Sequence, residues 1–279
     1  MVIVGAFILP HGAMILDPKK EGIPMQAINL NYEMRKIVKI IDDLRPEIIF
    51  LTTPHSIALS NDYGIYLNMG GSGTAEWDGE YQEYVVNVKI NQKISNQLLD
   101  YLSKKGTAIN GISAYAMSVH APLRWGEAVP LWFLRDLSSN PKYVILSQPL
   151  RRLEQPKELI PETITLGNDL ELFFESIKKR VVVIISGDLG HTHKAEGPYG
   201  FAEEAEIFDK MIQEWATSLD SKILTKKVIP ILEKAMCCGF IGFVILQGMI
   251  ENKDFTPNVL IRENPTYYGM MIASYIKKY

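Results

Sequence analysis

Cysteine is scarce. The 279 residues hold two, and they are neighbours, Cys237 and Cys238. A disulfide between adjacent residues is strained and closes no useful loop, so a disulfide-stapled secreted scaffold is excluded and a reducing, cytoplasmic setting is expected. Charge of one sign is not in excess either: 29 Lys and Arg stand against 32 Asp and Glu, for a net charge of −3. With no long basic run, nucleic acid held by bulk positive charge is not an expected partner. Long apolar runs are also missing. Val2–Leu9 is too short for a bilayer and runs straight into Pro10-His11-Gly12, while Met236–Ile250 is broken by Gly239, Gly242, Gly248 and Gln247. No membrane span and no export signal is expected.

The chain also lacks the common catalytic signatures. It has no nucleophile elbow, no Walker-type phosphate loop, no Rossmann glycine fingerprint after the first strand and no His-Glu-x-x-His helix. Gly70-Gly71-Ser72-Gly73 has no Lys to hold a nucleotide and reads as a hairpin or lid turn. No Pro, Ser or Gly-rich linker divides the chain, no repeat occurs, and Gln148–Glu162 with its three prolines reads as a surface loop.

What is present is an alternation. Short β-branched runs, Val2–Leu9, Ile48–Thr52, Tyr63–Met69, Tyr84–Ile90, Tyr143–Ser147 and Val181–Ser186, alternate with segments of helical period. The helical segments are Met25–Leu44, Asn91–Lys105, Ala128–Leu137, Asp169–Lys179, Glu203–Thr217, Ser221–Lys234 and Gly242–Ile250. A composition of 47% hydrophobic and 22% charged residues is that of an ordinary globular chain. The pattern predicts one α/β domain over residues 1–279, with a mostly parallel central sheet flanked by helices.

The chain has five histidines, and three of them follow predicted strands: His11 in Pro10-His11-Gly12, His55 in Thr53-Pro54-His55-Ser56, and His191 in Gly187-Asp188-Leu189-Gly190-His191. In a parallel sheet the carboxyl ends of strands face one crevice, so these three should converge there. Neutral imidazoles with an anionic partner make a divalent-metal site. The anion stays open at this point among Asp188, Glu127 and the Cys237-Cys238 pair; a buried cysteine can equally be a small apolar filler. Trp132-Phe133 and Tyr267-Tyr268 read as core aromatics.

These segments, together with Gly197-Pro198-Tyr199-Gly200-Phe201, Glu206-Ile207-Phe208-Asp209, Cys238-Gly239 before an apolar helix and the closing Tyr268-Gly269, have a recognisable order. The chain resembles the class III extradiol ring-cleavage dioxygenases, the superfamily of the protocatechuate 4,5-dioxygenase β subunit and the aminophenol dioxygenases, to which the Memo proteins are related. The resemblance implies Fe(II) held by two histidines and a glutamate, with a further histidine as acid/base. His11 and His55 fall on the ligand positions and His191 on the acid/base position.

The chain departs from that pattern in two places. Where family members often read Glu-Cys-Gly, this chain reads Cys237-Cys238-Gly239, which makes Cys237 the expected third ligand and Cys238 its alternative. Trp125 stands where many dioxygenases have a substrate-contacting His. With His120 and His193 it is an expected substrate-binding residue, although those two histidines can also be read as surface residues or residues behind the site. The expected partners are a catechol- or aminophenol-type aromatic and O₂, with Fe(II) as cofactor. Because a thiolate is softer than a carboxylate, Zn and Cu are the alternatives, and a Memo-like metal-binding or redox protein without ring cleavage is the second reading. A homo-oligomer is expected from base rates.

Overall fold

The computed structural model describes residues 3–251 and 254–278; Val2, the first residue of the expected opening strand, lies outside the described residues. The strands are β1 (Ile3–Leu9), β2 (Ile48–Thr53), β3 (Tyr63–Tyr66), β4 (Gly70–Thr74), β5 (Val85–Lys89), β6 (Ile109–Ile112), β7 (His120–Leu123), β8 (Lys142–Ser147), β9 (Val181–Ser186), β10 (Phe255–Glu263) and β11 (Met270–Lys277). The α-helices are α1 (Met25–Asp43), α2 (Gln92–Lys104), α3 (Trp125–Leu134), α4 (Ile160–Ser176), α5 (Glu204–Ser218), α6 (Leu232–Ala235) and α7 (Phe240–Ile250).

The main sheet has the order β10-β11-β1-β9-β2-β8-β3-β6. Its centre, β1-β9-β2-β8, is parallel, and β11 and β3 join that centre antiparallel. These central strands are covered on both faces, which explains their unbroken apolar sequences. Along β9, Val181, Val183 and Ile185 pack into one core cluster and Val182 and Ile184 into the other. The first cluster also takes residues of α2, α4, α5 and α7, the second residues of α1 and α3. A three-stranded sheet, β5-β4-β7, stands apart from the main one. Among the described residues no helix is long and apolar enough to cross a membrane.

The α/β architecture and mostly parallel sheet are as expected, with local differences, among them β6 and β7, which match no expected strand. Gly70–Thr74 is a strand of the small sheet rather than a turn, paired with β5 and β7. Gln148–Glu162 is not all loop: it holds a 3₁₀ turn at Leu150–Leu153 and the start of α4, with Pro161 in the first turn, where its missing N–H costs nothing. The expected helix over Ser221–Lys234 is broken into a π turn, Ile223–Lys227, a 3₁₀ turn around Pro230, and the short α6. The final strands β10 and β11 have no counterpart in the sequence reading, since their identity depends on β1, over 200 residues away in sequence.

Candidate metal centre

Strands β1, β9 and β2 are neighbours in the sheet, and their carboxyl ends open on one cavity. His11 follows β1, His55 follows β2, and Asp188 and His191 follow β9. The fourth contribution comes from the segment just before α7. There Gly239 N–H donates to Asp188 O at 3.0 Å, and the backbone of Gly187 lies so close to Gly239 that a Cβ on Gly187 would sit 2.6 Å from the Gly239 Cα. Glycine at both positions allows this approach, and the approach delivers Cys238. One ligand atom from each of His11, His55 and Cys238 lies within 4.8 Å of the others.

The hydrogen bonds fix the imidazole tautomers. Ser186 Oγ donates its proton to the Gly126 carbonyl at 2.6 Å, so towards His11 it can only accept, and His11 Nδ1–H donates to it at 3.0 Å. His11 Nε2 therefore carries a lone pair, and it faces Cys238 Sγ at 3.4 Å and Asp188 Oδ2 at 3.4 Å. His191 follows the same logic: Nδ1–H donates to the Leu189 carbonyl at 2.7 Å, leaving Nε2 with the lone pair. Cys238 Sγ accepts the Asp188 N–H at 3.4 Å, a bond that suits a thiolate.

Electrostatics agree with a cation in this place. Burial holds all three imidazoles neutral: His11 well below its usual range, His55 at about 3 and His191 at about 4, with smaller contributions from neighbouring histidines and, at His55, from Arg152. Burial also raises the Asp188 carboxyl to about 7 against the pull of the His11 and Gly12 N–H groups, and it raises the Cys238 thiol, with Asp188 adding to the effect. Neutral imidazoles beside two groups whose anions repel each other fit a divalent cation, which favours the charged form of both. His11, His55 and Cys238 would hold it, and Asp188 is the anion next to them.

The structure places Cys238, the alternative, and not Cys237 beside the histidines. Cys237, the expected third ligand, donates its thiol to the Asp188 carbonyl at 3.3 Å and packs against the larger core cluster, while Cys238 stands beside His11. The close Gly187–Gly239 contact decides this, because it turns residue 238 toward the strand ends and residue 237 away. Glu127, one of the open choices of anion, is a buried brace: its carboxylate accepts the Arg124 N–H at 2.9 Å and the Tyr66 hydroxyl at 3.1 Å, and Tyr66 in turn accepts the Ile57 N–H at 2.9 Å. Burial lifts its pKa to about 8.

Trp125 lines the cavity as expected, its ring centroid 5.1 Å from that of His55. The other two expected substrate-binding residues are placed elsewhere. His120 is exposed on β7 against Gly70, and His193 is turned into Asp209 at 2.8 Å, behind the turn that carries His191. Asp209 also accepts the Gly190 N–H at 2.8 Å, so it anchors that turn. Tyr267 and Tyr268, read from the sequence as core, are cavity walls, and Tyr268 stacks on His191 with ring centroids 5.3 Å apart. They arrive there because Gly187–His193 pairs with their segment through Leu189 N to Gly269 O and His193 N to Tyr267 O. Trp77 and Tyr199 complete the wall, and no pattern in the sequence singled out Trp77.

Comparison with known proteins gives three results. The family model described as the catalytic LigB subunit of aromatic ring-opening dioxygenase matches residues 5–276. Protein CA_C1420 of Clostridium acetobutylicum is 25% identical over 289 residues, covering 97% of this chain and 57% of its own length, so the chain spans little more than half of that relative. The crystal structure of uncharacterized protein JW3007 from Escherichia coli K12 superposes with a TM-score of 0.62 at 12% identity, covering 97% of this chain and 99% of that one, a likeness of fold.

Proposed function

Because the chain belongs to the family of the catalytic LigB subunit of aromatic ring-opening dioxygenase, we infer that it is a metal-dependent extradiol dioxygenase acting on a catechol- or aminophenol-type aromatic. The observation that carries this reading is the cluster of His11, His55 and Cys238, whose two histidines open with His191 on one cavity walled by aromatic rings. Fe(II) is the cofactor this reading assigns, and when bound it supplies the Lewis acidity and one-electron chemistry that O₂ requires.

The protein's own part is orientation and proton transfer. Trp125 and Tyr268 line the cavity and offer aromatic surface to a substrate ring. His191 Nε2 carries the lone pair at the cavity, its orientation set by the Leu189 carbonyl and the Tyr268 ring. A pKa lowered to about 4 leaves the ring neutral at pH 7, so it can accept a proton from a substrate hydroxyl or amine and return it later as imidazolium. The lowered value makes the imidazolium a readier proton donor than an ordinary histidine, suited to giving the proton back.

A second reading rests on the Cys238 thiol. A soft, oxidisable donor in place of a carboxylate favours Zn or Cu and suits a Memo-like metal-binding or redox protein that opens no ring. One experiment separates the readings. Anaerobically Fe(II)-loaded protein is mixed with catechol or 2-aminophenol under ¹⁸O₂, and the product is weighed. Ring cleavage gives a product carrying both oxygen atoms; unchanged substrate, or a quinone without added oxygen, points to the second reading.

A further inference from the structure

The cavity over His11, His55 and Cys238 contains about 430 Å³ of empty space, its mouth included, and none of the residues lining it is Lys or Arg. Five aromatic side chains wall it: Trp77, Trp125, Tyr199, Tyr267 and Tyr268. The other polar side chains lining it are the three imidazoles of His11, His55 and His191 and the Asp188 carboxyl. Arg152 and Arg124 lie nearby, and neither is among the lining residues. Arg152 is buried behind His55, with Nη1 donating to the Pro149 carbonyl at 2.8 Å and Nη2 to the Pro54 carbonyl at 2.6 Å. Arg124 lies 5.9 Å from the Trp125 ring centroid and is not among the lining residues.

Resting on the ring-cleaving reading above, we propose that this site selects its aromatic substrate by the charge of the ring substituent, taking neutral and above all ammonium-bearing catechols and excluding carboxylate-bearing ones. A carboxylate on the ring substituent leaves water for a wall of aromatic faces with no Lys or Arg among the lining residues to pair with it. An ammonium group meets ring faces whose quadrupoles attract cations, and Trp is the strongest of these. The tyrosine hydroxyls can meet either group, donating to a carboxylate or accepting from an ammonium. Trp77, 46% exposed and 4.7 Å from Trp125 between ring centroids, is the wall residue to vary.

Three catechols that differ in the charge of the substituent test this: 4-(2-aminoethyl)catechol, 4-ethylcatechol and 3-(3,4-dihydroxyphenyl)propionate, titrated calorimetrically into anaerobic Fe(II)-loaded protein. All three share the diol, so differences report the substituent. The amine should bind about tenfold tighter than the carboxylate, with the ethyl compound between them. Replacing the exposed ring in Trp77→Leu should narrow the gap between the amine and the carboxylate. Carboxylate binding equal to or tighter than the amine, or saturable binding by none of the three, overturns the proposal. Oxygen uptake with the same compounds is read separately. The predicted binding order without uptake upholds the charge selection and removes the ring-cleaving reading. Equal uptake with amine and carboxylate keeps ring cleavage and removes the selection.

Discussion

Ser186 decides which nitrogen of His11 faces the cavity. Its hydroxyl is committed to the Gly126 carbonyl at 2.6 Å, so His11 Nδ1 must be the protonated nitrogen, 3.0 Å away, and Nε2 the free donor. Ser186→Ala removes that instruction while leaving every proposed ligand in place. Metal affinity should fall by about 10- to 100-fold, and the unpaired, buried Gly126 carbonyl should cost roughly 1–3 kcal/mol of stability. Metal titration and urea unfolding of the same variant separate the two effects. Unchanged metal affinity would mean that the tautomer is set elsewhere.

Cys237 and Cys238 are neighbours with different surroundings. Cys238→Ala should lose most of the metal, while Cys237→Ala should keep it and lose some stability through the core it packs against. In wild type, metal should shield Cys238 from iodoacetamide, since a coordinated thiolate has its lone pair engaged. Peptide mass mapping of the single variants, with and without metal, reads this directly.

His191→Ala should retain its metal and lose turnover by about 10²- to 10⁴-fold, the usual scale for an acid/base group. Metal analysis beside steady-state oxygen uptake checks both halves. A variant stripped of metal would make His191 a ligand.

Glu127 gives a pH dependence with a definite sign. Its folded-state pKa is raised to about 8 from an ordinary carboxylate value near 4.5. The folded protein therefore keeps a proton that the unfolded chain releases, and this contribution to stability is lost as pH rises from about 4.5 through about 8. Glu127→Gln mimics the protonated form. Compared at pH 6 and at pH 9, it should gain about 2 to 3 kcal/mol relative to wild type. Urea midpoints at the two pH values measure it, and a constant difference would refute the assignment.

The sequence reveals this site unevenly, for physical reasons. His11, His55 and His191 are legible because each directly follows a buried, β-branched strand, and strand ends in a parallel sheet share a crevice. The third donor is ambiguous because two adjacent cysteines differ only in the direction each faces, which the backbone contact of Gly187 with Gly239 sets. Tyr267 and Tyr268 look like core because an aromatic pair has the same appearance in a wall as in a core. Their role follows from pairing with Leu189 and His193, more than 70 residues away in sequence. His120 misleads in the opposite direction: a scarce residue suggests chemistry, yet it lies exposed on the small sheet. The parallel centre of the fold could be read from local alternation, whereas β10 and β11 depend on a partner at the far end of the chain.

The central claim is that three segments distant in sequence meet to hold one metal ion. Its most direct test is the metal stoichiometry of purified protein, titrated with Fe(II) under anaerobic conditions, for wild type, His11→Ala and His55→Ala, with circular dichroism confirming that each is folded. The account predicts one equivalent for wild type and far less than one for either folded variant. One equivalent retained in both variants would contradict it.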